Sequence, residues 1–259
     1  MPFATTQDGV RLFYRFDGPE DAPVLVLSNS LGTDHRVWDG LIPTLTSRYR
    51  VLRYDARGHG QSEAPAGEYK METVARDVLD ILDHAGVDKA RYAGLSWGGA
   101  AGQWLGANAP ERFERLVLAN SGAFFGSPEI WQGRMDAVRK GGMASIAEPT
   151  MERWFTEGFR KAHPEQVEAV KQLLLQTPVE GYASCCAALR DTDFRNYLPR
   201  ITVPTLVIGG LHDTASPPER SGELADTIPG ARLVMLDCAH MALVEQRQQF
   251  EAALIGFLE

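Results

Sequence analysis

Three residues that together could form the catalytic site of a serine hydrolase occur along this chain in the order serine, aspartate, histidine. Ser96 lies in GLSWGG, Asp213 lies in PTLVIGGLHD and His240 lies in ARLVMLDCAH. A serine hydroxyl is a poor nucleophile at neutral pH, so it needs an imidazole base within hydrogen-bond reach. A carboxylate must hold that imidazole in the correct tautomer and stabilise its protonated form. The set therefore predicts acyl transfer by a triad of Ser96, His240 and Asp213.

The serine stands between two glycines in the pattern G-x-S-x-G. RYAGL before it predicts a strand and GGAAGQWLG after it predicts a helix, which is the context of a nucleophile elbow. In so tight a turn the residues two positions away must lack bulky side chains, and Gly94 and Gly98 meet that demand. The alternative is a glycine-rich turn with an incidental serine. An acid and a histidine downstream, each after a predicted strand, favour the catalytic interpretation.

Two other residues compete for places in the triad. Asp237 lies shortly before His240, but it ends the predicted strand, so we rank it below Asp213 as the acid. His59 in RGHGQSEAP precedes the serine, whereas in this type of site the order is serine, acid, histidine. A structural role in a glycine-flanked loop is therefore the better prediction for His59.

An acyl-transfer site also needs backbone donors for the oxyanion of the tetrahedral intermediate. One is the N–H of the residue after the nucleophile, which here is Trp97. The second usually comes from the loop after an early strand, and in SNSLGTDH, after VLVL, this predicts Leu31. The chemistry uses only the amide of Trp97. Its indole is thus expected either to wall the pocket or to plug the space under a lid.

The elements that would position these residues alternate between strands and helices. METVARDVLDILDHAG, residues 71–86, has the apolar stripe of a surface helix, and VRLFYRF, residues 10–16, predicts an antiparallel edge strand. This alternation predicts an α/β fold with a mostly parallel, doubly wound sheet. Near-continuous apolar runs, typical of parallel strands covered by helices on both faces, occupy residues 24–30, 49–55, 90–96, 115–121, 204–210 and 231–237.

One segment interrupts the alternation. Residues 122–197 contain helical patterns such as EIWQGRMDAVRK and PEQVEAVKQLLLQ but no convincing central strand. An insertion of this kind predicts a helical lid over the carboxyl edge of the sheet, where such folds place their sites. We therefore expect a core of residues 1–121 and 198–259 with a lid of residues 122–197.

Composition argues against several other classes of function. The chain has 259 residues and a formal net charge of -8, which disfavours a nucleic-acid or anionic-membrane partner. It has no recognisable signal peptide and no apolar run of membrane-spanning length, so we expect a cytoplasmic protein. Cys185, Cys186 and Cys238 fit small buried residues in a reducing compartment. The histidines lack a metal-binding spacing such as H-E-x-x-H, so we expect no metal and no organic cofactor.

Several segments besides the elbow are distinctive. They include LSNSLGTDHRVWD, GQWLGANAPERFERLVLANS and GYASCCAALRDTDFR. With the elbow, they resemble the corresponding segments of the 3-oxoadipate enol-lactonases, a family of the α/β-hydrolase superfamily. The elbow and triad are typical of the whole superfamily, whereas the longer segments are far more specific. The resemblance runs from residue 24 to residue 246, nearly the whole chain.

The resemblance implies a small-molecule substrate, an enol-lactone with a carboxylate arm, that is opened to 3-oxoadipate during the catabolism of aromatic compounds. It also implies the α/β-hydrolase fold and an acyl-enzyme on the serine. The carboxylate arm needs donors in an otherwise acidic protein, and we expect the Trp131 indole N–H and the Arg134 guanidinium to serve. Core packing is an equal alternative for Trp131. Arg190 is better explained by an ion pair with Asp191 or Asp193 that anchors the lid.

Two departures from the family pattern leave the substrate open. Trp97 follows the serine where the family usually has methionine or leucine, and Met241, Ala242 and Leu243 stand where a polar Ser-Asn pair is usual. Both changes are expected to add apolar bulk near the pocket. A general esterase, a C–C bond hydrolase or a perhydrolase on the same triad therefore stay open as alternatives. A receptor that binds a ligand without turnover is the alternative from a different class.

Overall fold

An eight-stranded sheet runs through the centre of the computed structural model, which describes residues 3–259. Its strands are β1 (Phe3–Thr5), β2 (Arg11–Asp17), β3 (Val24–Ser28), β4 (Arg50–Tyr54), β5 (Ala90–Leu95), β6 (Phe113–Ala119), β7 (Thr205–Gly210) and β8 (Arg232–Leu236). The order across the sheet is β1-β2-β4-β3-β5-β6-β7-β8. The β1–β2 and β2–β4 pairs are antiparallel and the other pairs are parallel. This is the mostly parallel sheet that the sequence predicts.

The central strands are buried on both faces. β3, β5, β6 and β7 bury most of their residues, as apolar runs such as VLVLS and TLVIGG require when helices cover both sides. β8 is the edge strand on the carboxyl-terminal side, and its first residues are exposed. Of the predicted triad, Ser96 and Asp213 follow the buried strands β5 and β7, and His240 follows the edge strand β8.

The amino-terminal edge of the sheet differs from the prediction. The sequence predicts VRLFYRF as the edge strand, but in the structure β2 lies between β1 and β4. β1 pairs with β2 so that Phe3 stands opposite Phe13. A three-residue segment such as FAT carries no usable periodicity, so only its pairing with β2 makes it a strand.

Helices cover both faces of the sheet and fill the insertion. Two helices on the core carry the clearest sequence signals. The helix after β4 buries the predicted stripe of Met71, Val74 and Val78, and the helix after β5 begins directly behind the nucleophile. The helices are α1 (Ile42–Leu45), α2 (Met71–His84), α3 (Trp97–Asn108), α4 (Pro128–Gly141), α5 (Ala144–Trp154), α6 (Glu157–Ala162), α7 (Pro164–Gln176), α8 (Val179–Arg190), α9 (Pro218–Thr227), α10 (Ala242–Glu245) and α11 (Arg247–Leu258), with short 3-10 helices at His35–Leu41, Pro110–Arg112 and Leu198–Arg200.

The inserted helices α4 to α8 all lie between β6 and β7 in the chain. Within residues 122–197 the only β structure is an isolated bridge between Phe124 and Asp193. Arg190, at the end of α8, pairs with Asp191 at 2.8 Å and with Glu68 on the core at 2.7 Å. The ion pair with Asp191 expected for Arg190 is thus present, whereas the pair that reaches the loop before α2 is the one with Glu68, which the sequence did not predict.

The three cysteines are buried and free, as the sequence predicts. Among the described residues, no helix combines the length and the apolar character that crossing a membrane requires.

Candidate active site

The turn that carries the serine is strained and crowded by backbone atoms. Ser96 lies between β5 and α3 with φ 53° and ψ -104°, a conformation that residues with side chains rarely adopt. A Cβ atom on Gly94 would lie 2.2 Å from the carbonyl oxygen of Gly98, and one on Gly98 would lie 2.5 Å from that of Ser28. Both positions therefore need glycine at this backbone geometry. The turn leaves Ser96 partly exposed at the carboxyl end of β5.

Asp213 and His240 meet beyond the carboxyl ends of β7 and β8. His240 Nδ1 lies 2.7 Å from Asp213 Oδ2, and both side chains are buried. Because an ionised carboxylate only accepts hydrogen bonds, Nδ1 carries the proton and Nε2 is left to act as a base. Ser96 and His240 line the same cavity, although within residues 3–259 no hydrogen bond joins their side chains. Such catalytic bonds tighten when substrate binds.

Asn120 belongs to this acid site, although its sequence position did not lead us to predict it. It follows β6 directly, is fully buried and has φ 47°. Its Nδ2 donates to Asp213 Oδ2 at 3.1 Å and to the carbonyl oxygen of Ala239 at 3.2 Å. Asp213 Oδ1 accepts the amides of Ala215 and Ser216, each at 2.8 Å. A polar residue directly after a buried strand was the signal that could have revealed Asn120.

The two amides predicted to bind the oxyanion, those of Leu31 and Trp97, are each followed by a residue whose own amide is hydrogen-bonded. The amide of Gly32 donates to His59 Nε2 at 2.9 Å, and the amide of Gly98 donates to a carbonyl of the loop after β3 at 3.0 Å. Within the described part of the chain, the amides of Leu31 and Trp97 donate to no other residue. They are therefore free to stabilise a developing negative charge.

His59 fixes the loop that carries Leu31, and it stays outside the triad. Its ring is buried, and this burial lowers the pKa of His59. Because Nε2 accepts the Gly32 amide, the ring must be neutral in this arrangement. Asp237, the rival acid, is exposed and pairs with His212 at 2.7 Å instead of with His240. Both competitors thus have structural partners.

A cavity of about 320 Å³ lies above the serine, between the core and the inserted helices. This volume is at the lower end of the range of about 300–1,000 Å³ for small-molecule sites. Among the described residues, its walls include three arginines and no aspartate or glutamate. The cavity is therefore locally positive in a protein whose formal net charge is -8. The arginines are Arg134, Arg153 and Arg220.

Trp131 and Arg134 both line this cavity, but they are not equally available to a ligand. The Trp131 indole N–H donates to the carbonyl oxygen of Phe125 at 2.9 Å. The expectation that this N–H binds a carboxylate is therefore wrong for this structure, since the donor is already engaged. The Arg134 guanidinium lies 4.9 Å from the centre of the Trp131 ring. Trp131 thus acts as a platform for Arg134.

The two family departures lie in the core and not on the cavity wall. Trp97 is 1% exposed, and Met241, Ala242 and Leu243 are likewise buried. None of these side chains lines the cavity with Ser96. These side chains therefore do not form the surface that a ligand in this cavity would contact. Of the two roles considered for the Trp97 indole, the structure agrees with packing in the interior and not with forming the pocket wall.

Three cavity residues were not singled out from the sequence. Arg153 and Trp154, at the end of α5, and Arg220 in α9 all line the cavity. The Trp154 ring stacks on His240 with 6.2 Å between ring centres and 27° between planes. No sequence signal points to them, because their spacing relative to the triad is set only by how the inserted helices and α9 pack.

One group of described residues has the donor atoms of a metal site. Asp34, His35 and Asp55 place one ligand atom each within 4.8 Å of one another. Asp34 is already held by Arg36, and Asp55 accepts His35 Nδ1 at 2.7 Å. These contacts are those of a structural cluster whose polar atoms already have protein partners.

Comparison with known proteins assigns the chain to a family. A family model described as alpha/beta hydrolase fold matches residues 23–246. The 3-oxoadipate enol-lactonase 2 of Acinetobacter baylyi is 41% identical over 96% of this chain and 93% of its own. This chain belongs to the 3-oxoadipate enol-lactonase family of α/β hydrolases. A second enol-lactonase of that organism, 3-oxoadipate enol-lactonase 1, is 36% identical over 98% of this chain and 96% of its own.

The structure of the chain is also similar to that of a solved enol-lactonase. The crystal structure of the enol-lactonase from Burkholderia xenovorans LB400 superposes with a TM-score of 0.97 at 42% identity, covering 99% of each chain. The family and the α/β-hydrolase fold predicted from the sequence are thus confirmed. The protein is a hydrolase of this family.

Proposed function

We propose that the protein opens a small lactone that carries a carboxylate arm, and that its substrate is 3-oxoadipate enol-lactone. The product would be 3-oxoadipate, an intermediate of aromatic-compound catabolism. The observation that carries the proposal is the cavity, in which Ser96 and His240 share the walls with three arginines and, within residues 3–259, no acid. A neutral ester would gain little from that charge, whereas a carboxylate arm would be attracted and oriented by it.

In the proposed first step, Ser96 Oγ attacks the lactone carbonyl carbon while His240 Nε2 takes its proton. The carbonyl oxygen becomes an oxyanion that the amides of Leu31 and Trp97 stabilise. Asp213, bonded to His240 Nδ1, stabilises the imidazolium that forms. The tetrahedral intermediate then collapses by breaking the ring C–O bond, and His240 returns the proton to the departing enol oxygen.

The opened chain remains attached to the enzyme as an acyl ester that also carries an enol. Reclosure would compete with hydrolysis as long as the enol hydroxyl persists next to the acyl group. Tautomerisation to the ketone removes that internal nucleophile and makes opening effectively one-way. A water molecule, activated by His240, then attacks the acyl carbon, and Ser96 is released with the dicarboxylate product.

Arg134 is the residue that we assign to the carboxylate arm. Its guanidinium lines the cavity and stacks on the Trp131 ring, so its position is fixed before substrate binds. Preorganisation of this kind lowers the entropy that must be lost on binding. The arm would thus be oriented by Arg134 while the lactone carbonyl meets Ser96.

We also propose that catalysis and substrate recognition reside in different parts of the chain. Residues 1–121 and 198–259 supply the nucleophile, base, acid and oxyanion donors. Residues 122–197 act as the lid that supplies Arg134 and the apolar walls. Substrate specificity would accordingly change with substitutions in the lid, whereas the chemical step would change with substitutions in the core.

Steady-state kinetics on enol-lactone and on p-nitrophenyl acetate test the proposal. We expect kcat/KM to be far higher on the enol-lactone and to fall at least about a thousandfold in Ser96→Ala. Ser47→Ala, at an exposed serine, is the matched control and should behave as wild type. A higher kcat/KM on the neutral ester would instead indicate a general esterase. Absence of turnover on both, with ligand binding retained, would indicate a receptor.

A further inference from the structure

Arg153 is a second cationic group in the candidate cavity, apart from Arg134. It stands at the end of α5, is partly buried, and lines the cavity together with Ser96 and His240. Its Nη2 donates to the Thr150 hydroxyl at 3.1 Å. Among residues 3–259, no carboxylate comes within ion-pair distance of Arg153. The guanidinium therefore keeps most of its donors for a ligand.

Arg134 and Arg153 line the same cavity, where their positive charges repel each other. Burial lowers the pKa of Arg153, and the positive charge of Arg134 lowers it further. Tyr182 lines the same cavity, and both guanidinium charges oppose the rise that burial produces in the pKa of Tyr182. Two like charges in a half-enclosed cavity cost free energy that a bound anion would remove.

Arg139, another arginine of the inserted helices, differs from Arg153 because it has an ion-pair partner. Arg139, in the same helix as Arg134, is exposed and pairs with Glu180 at 3.0 Å. Its charge is thus balanced within the lid. Arg153 instead lines the cavity and forms an ion pair with no carboxylate of the described chain, which leaves its guanidinium available to an anion.

We propose that Arg153 is a second specificity-determining residue, which binds the free carboxylate of the ligand together with Arg134. The cavity would then recognise short carboxylates and dicarboxylates by a pair of guanidinium groups on its lid side. The role of Arg153 in turnover rests on the proposed lactonase function, whereas its role in anion binding does not. Because hydrolysis of such a lactone yields a dicarboxylate, short dicarboxylates should also compete with substrate.

Calorimetric titration of the whole protein with glutarate tests the anion site without reference to any reaction. We expect wild-type protein to bind glutarate and Arg153→Gln to bind it about 10- to 100-fold more weakly, the loss expected for one charged hydrogen-bonding group. Arg153→Lys should fall between them, because a lysine keeps the charge but lacks the planar fork. Arg139→Gln is the matched control and should bind as wild type. Glutaramide, the neutral analogue, should not bind.

The outcomes separate this proposal from the lactonase proposal. Equal affinity for glutarate in wild type, Arg153→Gln and Arg153→Lys would overturn the role of Arg153, as would failure of wild type to bind glutarate. Glutarate binding that depends on Arg153 in a protein without activity on enol-lactone would support the anion site and defeat the proposed substrate. If Arg153→Gln does not fold, Arg153→Lys, compared with Arg139→Lys, decides the question by the same titration.

Discussion

At the scale of single residues, the acid of the site is held by fixed donors before any substrate is present. Asp213 accepts two backbone amides on one oxygen, while Asn120 and His240 share the other. A carboxylate bound on both oxygens has little freedom to rotate. It therefore orients the His240 imidazole with little reorganisation during the reaction.

Removing the Asn120 side chain should loosen this arrangement without straining the backbone. Asn120→Gly is the appropriate variant because Asn120 has φ 47°, which glycine adopts freely. We expect kcat to fall about tenfold and the free energy of unfolding to fall by about 1–2 kcal/mol, since a buried acceptor on Asp213 loses a donor. Kinetics across pH and urea unfolding measure both effects. An unchanged kcat would show that the two backbone amides alone fix the acid.

His59 should make stability depend on pH. Burial lowers its pKa in the folded protein, whereas the unfolded chain takes up the same proton near the ordinary value of about 6.5. Between these two pKa values the unfolded state binds more protons, so acid favours unfolding. The stabilisation is complete above about pH 6.5 and is lost as the pH falls below it, by up to about 1.4 kcal/mol per pH unit for one proton.

Urea unfolding between about pH 5 and pH 7 measures this dependence. His59→Gln keeps an acceptor for the Gly32 amide but cannot take up a proton, so its curve should be flatter than that of wild type. His163→Gln, at an exposed histidine, serves as the control and should retain the wild-type slope. Equal slopes for wild type and His59→Gln would show that the pH response arises at other groups.

At the scale of elements, the elbow depends on the close approach of α3 to β3 and β5. The helix begins at Trp97 and its first turn is buried against the strands. Glycines make this approach possible where a Cβ would meet strand backbone, as at Gly98. The same closeness places the amino terminus of α3, with the free amide of Trp97, directly beside Ser96.

Gly98→Ala should therefore disrupt the elbow. The added Cβ would lie 2.5 Å from the carbonyl oxygen of Ser28, and backbone atoms on both sides cannot yield cheaply. We expect a loss of stability of about 1–3 kcal/mol or more and loss of activity.

Gly133→Ala in α4 is the opposite case, because no heavy atom lies within 4 Å of the Cβ that alanine would add. It should raise stability by about 0.5–1 kcal/mol, measured by thermal unfolding of both variants.

At the scale of the whole molecule, the inserted helices are fixed to the core through α8. A Cβ on Gly181 would lie 2.3 Å from the carbonyl oxygen of Gly58, so the two backbones touch. The amide of Tyr69 also donates to the carbonyl oxygen of Ser184 in α8 at 3.2 Å. This contact positions the lid side of the cavity, because the residue after Gly181 is the cavity residue Tyr182.

Gly181→Ala should thus change both stability and substrate binding. The methyl group would push α8 away from the loop after β4, and we expect a loss of about 1–3 kcal/mol in the free energy of unfolding. Because Tyr182 moves with the helix, KM should rise more than kcat falls. Gly158→Ala in α6, where a Cβ meets nothing within 4 Å, is the control. A variant with wild-type KM and reduced stability would separate the packing of α8 from the cavity.

The sequence by itself determined the features that depend on local pattern and chain order. Apolar runs predicted the central strands, and the glycines around Ser96 predicted the elbow, because a tight turn limits which residues fit. The order of Ser96, Asp213 and His240 predicted that Ser96 and His240 share one cavity and that Asp213 bonds to His240, since parallel strands present their carboxyl ends at one edge.

Only the tertiary structure decided which side chains face the cavity and which lie in the core. Trp97 is buried and does not line the cavity, the Trp131 N–H is engaged by Phe125, and Arg153 lines the cavity with Ser96 and His240. Each of these outcomes depends on how separate elements pack, and packing between distant segments leaves no periodic signal in the sequence. For the same reason β1 became visible as a strand only through its partner β2.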